Sequence, residues 1–395
     1  MDMEFRNCKL ELDLKCHAPI IHFQPEEEGA TLRASEVKPK FDRYLMKKVP
    51  SLKKRFKNHS LAYKMKFIDN SPSIIYKSKE NEDKFDKKPN NNEGNFELYF
   101  ARDEKRRVET NPKMTITCFD SELQKFIVEH IKEFFIVTNF GAAQGKGYGS
   151  FTVIDSGKND QVEQENIEKI LMEEFGLKTL YKMDLNKQSN DRRGSNKIKV
   201  IFENIEQFYK IIKSGYNYKG KYARSALFMY MHDKEKNLFK IDIGNEKAEL
   251  KQKKVVREFG NFRRYTYPKN NNPHYVRALL GLSPVLIFRD RHNNIPDKVK
   301  VTHNKRIIQR FPSPIFFKVI NNFVYIIPLK LDYRIFNQEF NFEKFNPKPS
   351  CSISLKTPSK EFNLQHFLDY AVAYYNDNCS NILVSSKVLK VEQRR

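Results

Sequence analysis

The sequence predicts an α+β protein of two units, on three observations. Its 395 residues are enough for two separate cores. Over the first 155 residues, runs of period two and period 3.6 follow one another as strand, helix, strand, strand, helix, strand. A glycine-rich turn joins the last helix of that series to its last strand, and a polar stretch over 155–166 separates the series from the rest of the chain.

The elements follow in order. Leu10, Leu12, Leu14 and Cys16 share one parity with mostly charged residues between them, the mark of a half-buried strand. A helix is expected over 35–48, where Val37, Phe41, Tyr44 and Leu45 recur at helical spacing. Pro39 falls in its first turn, where no intrahelical N–H bond is lost. Strands are expected over 61–68, 96–100 and 114–119, and the Asn-rich, charged stretch 77–95 reads as a long flexible insertion. Ser121 and Gln124 have capping-box spacing at the start of a helix that runs through Phe126, Ile127, His130, Ile131 and Phe134. The last strand is 150–154. Allowing for the extra strand an insertion can add, this order is that of a ferredoxin-like (RRM-like) unit, a sheet with both helices on one face, and it defines a first domain over 1–155.

Residues 156–395 read as a second, more divergent ferredoxin-like domain with insertions. Helix 165–175 is closed by Gly176, strands follow at 180–183 and 197–202, and helix 203–213 is ended by Gly215. A further helix is expected over 222–232, a strand over 285–288, and a hairpin pairing 314–320 with 323–331 about Asn321-Asn322. A final helix over 364–375 precedes a basic tail.

Charge narrows the partner. The formal net charge is +23, from 72 Lys and Arg against 49 Asp and Glu, which points to a polyanion. No run reaches the roughly 18 apolar residues of a spanning helix, and the N-terminus has no basic and apolar signal pattern, so no membrane partner is expected. Five scattered cysteines without C-x-x-C spacing, and nine dispersed histidines, predict reduced thiols in a cytoplasm with no metal or cofactor. Tyrosines interleaved with Lys and Arg over 216–224 suit stacking on bases or a half-buried structural role.

The densest motif is Phe140-Gly141-Ala142-Ala143-Gln144-Gly145-Lys146-Gly147-Tyr148-Gly149-Ser150-Phe151, with four of the 14 glycines in nine residues. Glycines here allow positive φ and close backbone approach, and successive N–H groups can cradle an anion. A Walker loop is excluded, because Gly147 stands where Ser or Thr is required and the order is helix then strand. The same order excludes a dinucleotide fingerprint.

Gly145-Lys146-Gly147-Tyr148-Gly149-Ser150 resembles the glycine-rich loop of the RAMP superfamily, the repeat-associated proteins of CRISPR-Cas systems. Thr31-Leu32-Arg33-Ala34-Ser35-Glu36-Val37-Lys38 is similar to that family's segment before the first helix, with Pro39 where the family usually has Gly. A helix N-terminus there would favour phosphate. Tyr218-Lys219-Gly220-Lys221-Tyr222-Ala223-Arg224-Ser225 is a looser echo. Arg310-Phe311-Pro312-Ser313-Pro314 looks like a segment of the two-unit members at the head end of type III-B Cmr complexes.

The resemblance implies a non-catalytic RNA-binding subunit of a type III effector complex in antiviral defence. Its partners would be guide RNA, target RNA and other RAMP subunits. The residues it singles out for RNA are Arg33, Ser35, Lys38, Arg43, Gly141, Gln144, Gly145, Lys146, Gly147, Tyr148 and Gly149. Lys219, Lys221, Tyr222, Arg224 and Ser225 join them from the second half. Three alternatives stay open: a metal-independent guide-RNA endoribonuclease using His17 or His22, a backbone subunit cutting target RNA with Asp42 or Asp69 and a divalent ion, and a nucleic-acid-binding protein outside CRISPR systems.

Overall fold

The computed structural model describes residues 3–21, 31–57, 59–69, 74–76, 107–154, 164–186, 197–218, 221–233, 274–288, 297–305, 308, 310–346, 352–359, 362–379 and 386–392. The chain divides into two compact units. The first is Met1–Glu206 with Phe316–Ile327 and Leu389–Arg395, and the second is Gln207–Ile315 with Pro328–Val388.

In the first unit, β1 (Lys9–Ala18), β3 (Tyr63–Ile68), β6 (Lys113–Cys118) and β7 (Ser150–Ile154) form an antiparallel sheet in the order β3-β6-β1-β7. That is ferredoxin-like connectivity, with helices α1 (Ala34–Lys48) and α3 (Ser121–Val137) in the crossovers and a short α2 (Pro50–Phe56) after α1. Parity decides the faces. Leu10, Leu12 and Leu14 of β1 are buried, as are Met114 and Ile116 of β6, whereas Lys9, Glu11, Asp13, Lys64, Lys66 and Lys113 are exposed. Val37, Phe41, Tyr44 and Leu45 of α1 meet Ile127, Ile131, Phe134 and Phe135 of α3 in the core, with Phe41 and Phe134 rings 4.9 Å apart. Each such side chain stabilises the unit by about 1.5–3 kcal/mol of transfer free energy. Strands β2 (Ile20–Ile21), β4 (Ile74–Tyr76) and β5 (Arg107–Glu109) make a small sheet in the order β2-β5-β4.

The second repeat follows the same logic. After α4 (Gln164–Phe175), strands β8 (Thr179–Asp184), β13 (Ile315–Ile320), β14 (Phe323–Pro328) and β17 (Val388–Glu392) form a sheet in the order β13-β14-β8-β17. Numbered within the repeat this is 2-3-1-4, the order of the first sheet. α5 (Lys197–Lys213) follows its first strand in sequence, and α7 (Leu364–Cys379) precedes its last. The protein is α+β, with tandem ferredoxin-like repeats. The second unit adds a sheet of β11 (Val285–Phe288), β12 (Asp297–His303), β15 (Glu339–Asn346) and β16 (Ser352–Lys356), the hairpin β9 (Tyr216–Tyr218) with β10 (Lys221–Ala223), and α6 (Ala226–Asp233).

Several expectations need correction. The segment 197–202 is the first part of α5, not a strand: Ile198, Val200 and Phe202 alternate, but Ile198, Ile201, Phe202, Ile205, Phe208 and Ile212 also fit one continuous helical face, and the longer pattern wins. The helix expected from residue 222 starts at Ala226, because Ser225 accepts the Phe228 N–H at 3.2 Å and caps it. Asp120, not Ser121, caps α3 by accepting from Leu123 N at 3.1 Å, and the Gln124 amide instead donates to Cys118 O at 2.7 Å. Pro39 lies in the second turn of α1 rather than its first. β12, β15 and β16 were not anticipated. The expected strand 96–100, the insertion 77–95 and His22 lie outside the described residues.

Candidate nucleic-acid interface

Two motifs more than 100 residues apart are brought together by a pair one turn apart on α1. The Glu36 carboxylate accepts from Gly141 N–H at 2.8 Å and from Lys40 Nζ at 2.8 Å. Lys40 also donates to the Asn139 carbonyl at 3.1 Å and to Gln144 Oε1 at 2.9 Å, and lies over the Phe140 ring. The N-terminus of α1 is therefore clamped to the glycine-rich loop. Lys40 and Glu36 escape a motif-based reading, since only their i, i+4 spacing hints at a pair.

Most of the loop backbone is bonded inside the protein. Phe140 N–H donates to Gly149 O, Ala142 N–H to Ile21 O, Gly149 N–H to Pro19 O, and Phe317 N–H to Gly145 O, all within 3.1 Å. Asn139 Nδ2 donates to Gln144 O at 2.8 Å and Phe317 O at 2.9 Å, and Ser150 Oγ donates to Val319 O at 2.5 Å. Gly149 has φ +66°, and a Cβ there would lie 1.9 Å from Phe140 O. Gly147 has φ +92°, and its Cβ would meet Ile205 at 3.1 Å and Val319 at 3.3 Å. Tyr148 is fully buried and stacks on Phe202 at 4.0 Å, so its ring is a core element.

What stays open is the tip. Among the described residues, the N–H groups of Ala143, Gln144 and Gly145 have no acceptor. Ala143 is left-handed at φ 56°, the alternation that turns successive N–H groups to one side. Nothing lies within 4 Å of a Cβ built on Gly145, which is itself outside the left-handed region. Lys146 is half-buried, and Gly141 is fixed against Ile21 O.

The other anticipated residues divide. Arg33 is the N-cap of α1 without a side-chain capping bond, and Ser35 and Arg43 are exposed on α1. Lys38 is turned inward, donating to Asp42 Oδ2 at 2.8 Å, Ser60 Oγ at 2.5 Å and Leu61 O at 3.0 Å. All three of its protons have partners. In the second unit, Arg224 is buried with its guanidinium over Phe228, and Ser225 is a helix cap. Lys221 and Tyr222 lie on β10, and Lys219 lies outside the described residues.

The groups that cleavage would require are placed otherwise. His17 is 5% exposed, with Nε2 at 2.8 Å from Thr152 Oγ1 and Nδ1 accepting from Asn321 N–H at 3.0 Å. Burial, and then the nearby Lys318, hold its pKa well below the usual histidine value. Both ring nitrogens are engaged, and the ring is neutral. Asp42 is buried against Lys38, and Asp69 accepts from Thr110 Oγ1. Among the described residues, no three His, Cys, Asp or Glu side chains gather as a metal site would require, and no helix is long and apolar enough to cross a membrane.

A helix N-terminus clamped to a glycine-rich loop on tandem ferredoxin-like repeats is the arrangement that the resemblance to the RAMP superfamily implied. Residues 7–216 match the Cmr1 N-terminal domain, and residues 222–392 match the Cmr1 C-terminal domain. The chain belongs to the Cmr1 family, RAMP subunits of the type III-B CRISPR effector (Cmr) complex. Among solved structures it is similar to Cmr1 from Pyrococcus furiosus in its apo form, at 10% identity and a TM-score of 0.36 over 97% of this chain and 98% of that one. No curated protein sequence matches it.

Proposed function

We propose that this chain is a non-catalytic RNA-binding subunit that holds guide or target RNA by its phosphates and caps the filament of backbone subunits in antiviral defence. The observation that carries the reading is the open loop tip, where three consecutive N–H donors lie at 143–145 and Gln144 is bonded to Lys40 of α1. N–H groups arranged this way suit a phosphate oxygen without reading a base. The +23 charge supplies the long-range attraction. The internal bonding of His17 speaks against its use as a general acid or base, which must reach the substrate. The two repeats, divided near residue 155, would each present a contact, with the second around β10. Titrating single-stranded RNA at several salt concentrations tests this. Each neutralised phosphate contributes about −0.7 to the log–log slope, and an affinity that does not change with salt would refute the reading.

A further inference from the structure

We infer that α2 and Phe119 form a further contact for single-stranded RNA, distinct from the glycine-rich loop and from β10; this rests on the RNA-binding reading above. Phe119, one residue past β6, is 82% exposed and is the most exposed large hydrophobic residue among those described. α2 carries Lys53, Lys54 and Arg55, and Lys57 follows at its C-cap, all exposed.

Arg55 ties these features together. It pairs with Asp120 at 2.5 Å and Glu122 at 3.1 Å, on the segment immediately after Phe119, and its guanidinium lies 5.2 Å from the Phe56 ring. The segment that follows Phe119 is thereby tied to the basic helix. The two carboxylates nearby are both taken up by Arg55, whereas Lys53, Lys54 and Lys57 have no partner among the described residues. The patch therefore combines three unneutralised ammonium groups on one helix with an exposed ring on the segment tied to it.

That combination fits a nucleic-acid strand better than a protein surface. Protein-interface cores are depleted in lysine and bury several apolar groups together, whereas a single-strand site combines a basic track with an isolated aromatic on which a base stacks, whatever its sequence. Single-stranded RNA is favoured because stacking on Phe119 needs an unpaired base.

The test uses the full chain and a single-stranded RNA oligonucleotide of mixed sequence. All the substituted side chains are exposed, so the variants keep the parent fold, which melting checks. Phe119→Leu keeps an apolar side chain but removes the π-face and should lower affinity about 5-fold or more, whereas Phe119→Tyr should retain it. Replacing Lys53, Lys54 and Lys57 by alanine should reduce the salt slope by about 2. If the parent binds RNA and these variants bind it with the same affinity and slope, this inference fails while the RNA reading stands. If the parent does not bind RNA, both fall. If the variants keep RNA but lose a neighbouring subunit of the complex, the patch is a protein interface and the inference is overturned.

Discussion

Two parts of one loop answer to different demands. At 146–150 the chain is pressed between the first sheet and β13, with Gly149 against Phe140 O, Gly147 against Ile205 and Val319, and Tyr148 on Phe202. At 143–145 the chain turns outward, its N–H groups have no internal acceptor, and a side chain at Gly145 would meet open space. Glycines in a single motif thus serve separate ends. Some let two repeats of β-strand and helix meet closely, and one leaves room for a ligand. A motif can therefore be required in full while only part of it is open to a ligand.

The largest effect expected from breaking this contrast is at Gly149. A methyl group 1.9 Å from a backbone carbonyl cannot be relieved by a rotamer change, and the left-handed φ adds strain. Gly149→Ala should cost more than about 4 kcal/mol, the range reserved for severe core disruption, and thermal melting of the purified variant would read it. At Gly147 the clashing atoms are side-chain ends that can shift, so Gly147→Ala should cost about 1–3 kcal/mol, mostly from the strained backbone. The folded fraction of that variant should bind RNA as the parent does, because the new methyl faces the core.

Lys40→Met tests the clamp between the two regions. It keeps most of the aliphatic volume but leaves Glu36, the Asn139 carbonyl and Gln144 without their shared cation. A loss of about 1–3 kcal/mol is expected in denaturant unfolding. RNA affinity should also fall, since the tip then loses the bond from α1 to the Gln144 side chain. Lys40→Arg, with a longer and planar head group, should restore stability only in part.

The neutral, buried His17 gives a pH signature. Its folded pKa lies below the unfolded value, so the unfolded chain binds the extra proton as pH falls through about 6.5. Stability is complete above that pH and declines by up to about 1.4 kcal/mol per unit below it, until the folded ring also protonates. Unfolding titrations at neutral and mildly acidic pH should show a steeper decline for the parent than for His17→Gln. Equal slopes would mean that His17 is accessible to protons, which would reopen its candidacy in cleavage.

What the sequence discloses follows from how local each signal is. The first repeat is legible because its strands alternate and its helices repeat over short windows, so Lys9–Ala18, Ala34–Lys48 and Ser150–Ile154 fall close to where patterning puts them. α5 misleads because Ile198, Val200 and Phe202 alternate over its first six residues, and the helical face becomes evident only over the longer run to Ile212. β12, β15 and β16 are hidden by the long separations between pairing partners, such as Val301 with Phe342. The glycine-rich loop is visible as a motif, yet the division of labour inside it is not, since Phe317 and Val319 reach it from some 170 residues away. Lys38 and Lys40 look interchangeable in sequence. One is consumed by Asp42 and Ser60, and the other organises the loop.

The smallest expected effect is also the sharpest test of the comparison. Gly145 alone among the loop glycines combines an ordinary φ with open space around its absent side chain. Gly145→Ala should therefore fold as the parent does, and the loss of a flexible residue from the unfolded chain should raise stability slightly, by about 0.4–1 kcal/mol. The added methyl nevertheless stands beside three N–H groups that this reading assigns to a phosphate, where close approach matters. RNA affinity should fall several-fold while the salt slope changes by less than the ~0.7 of one lost phosphate contact, because no cation has been removed. Melting and RNA titration on the same preparation separate the outcomes. A variant that is as stable as the parent and binds RNA equally well would show that the tip faces solvent or another subunit, and the RNA contact would then have to be sought elsewhere on the first unit.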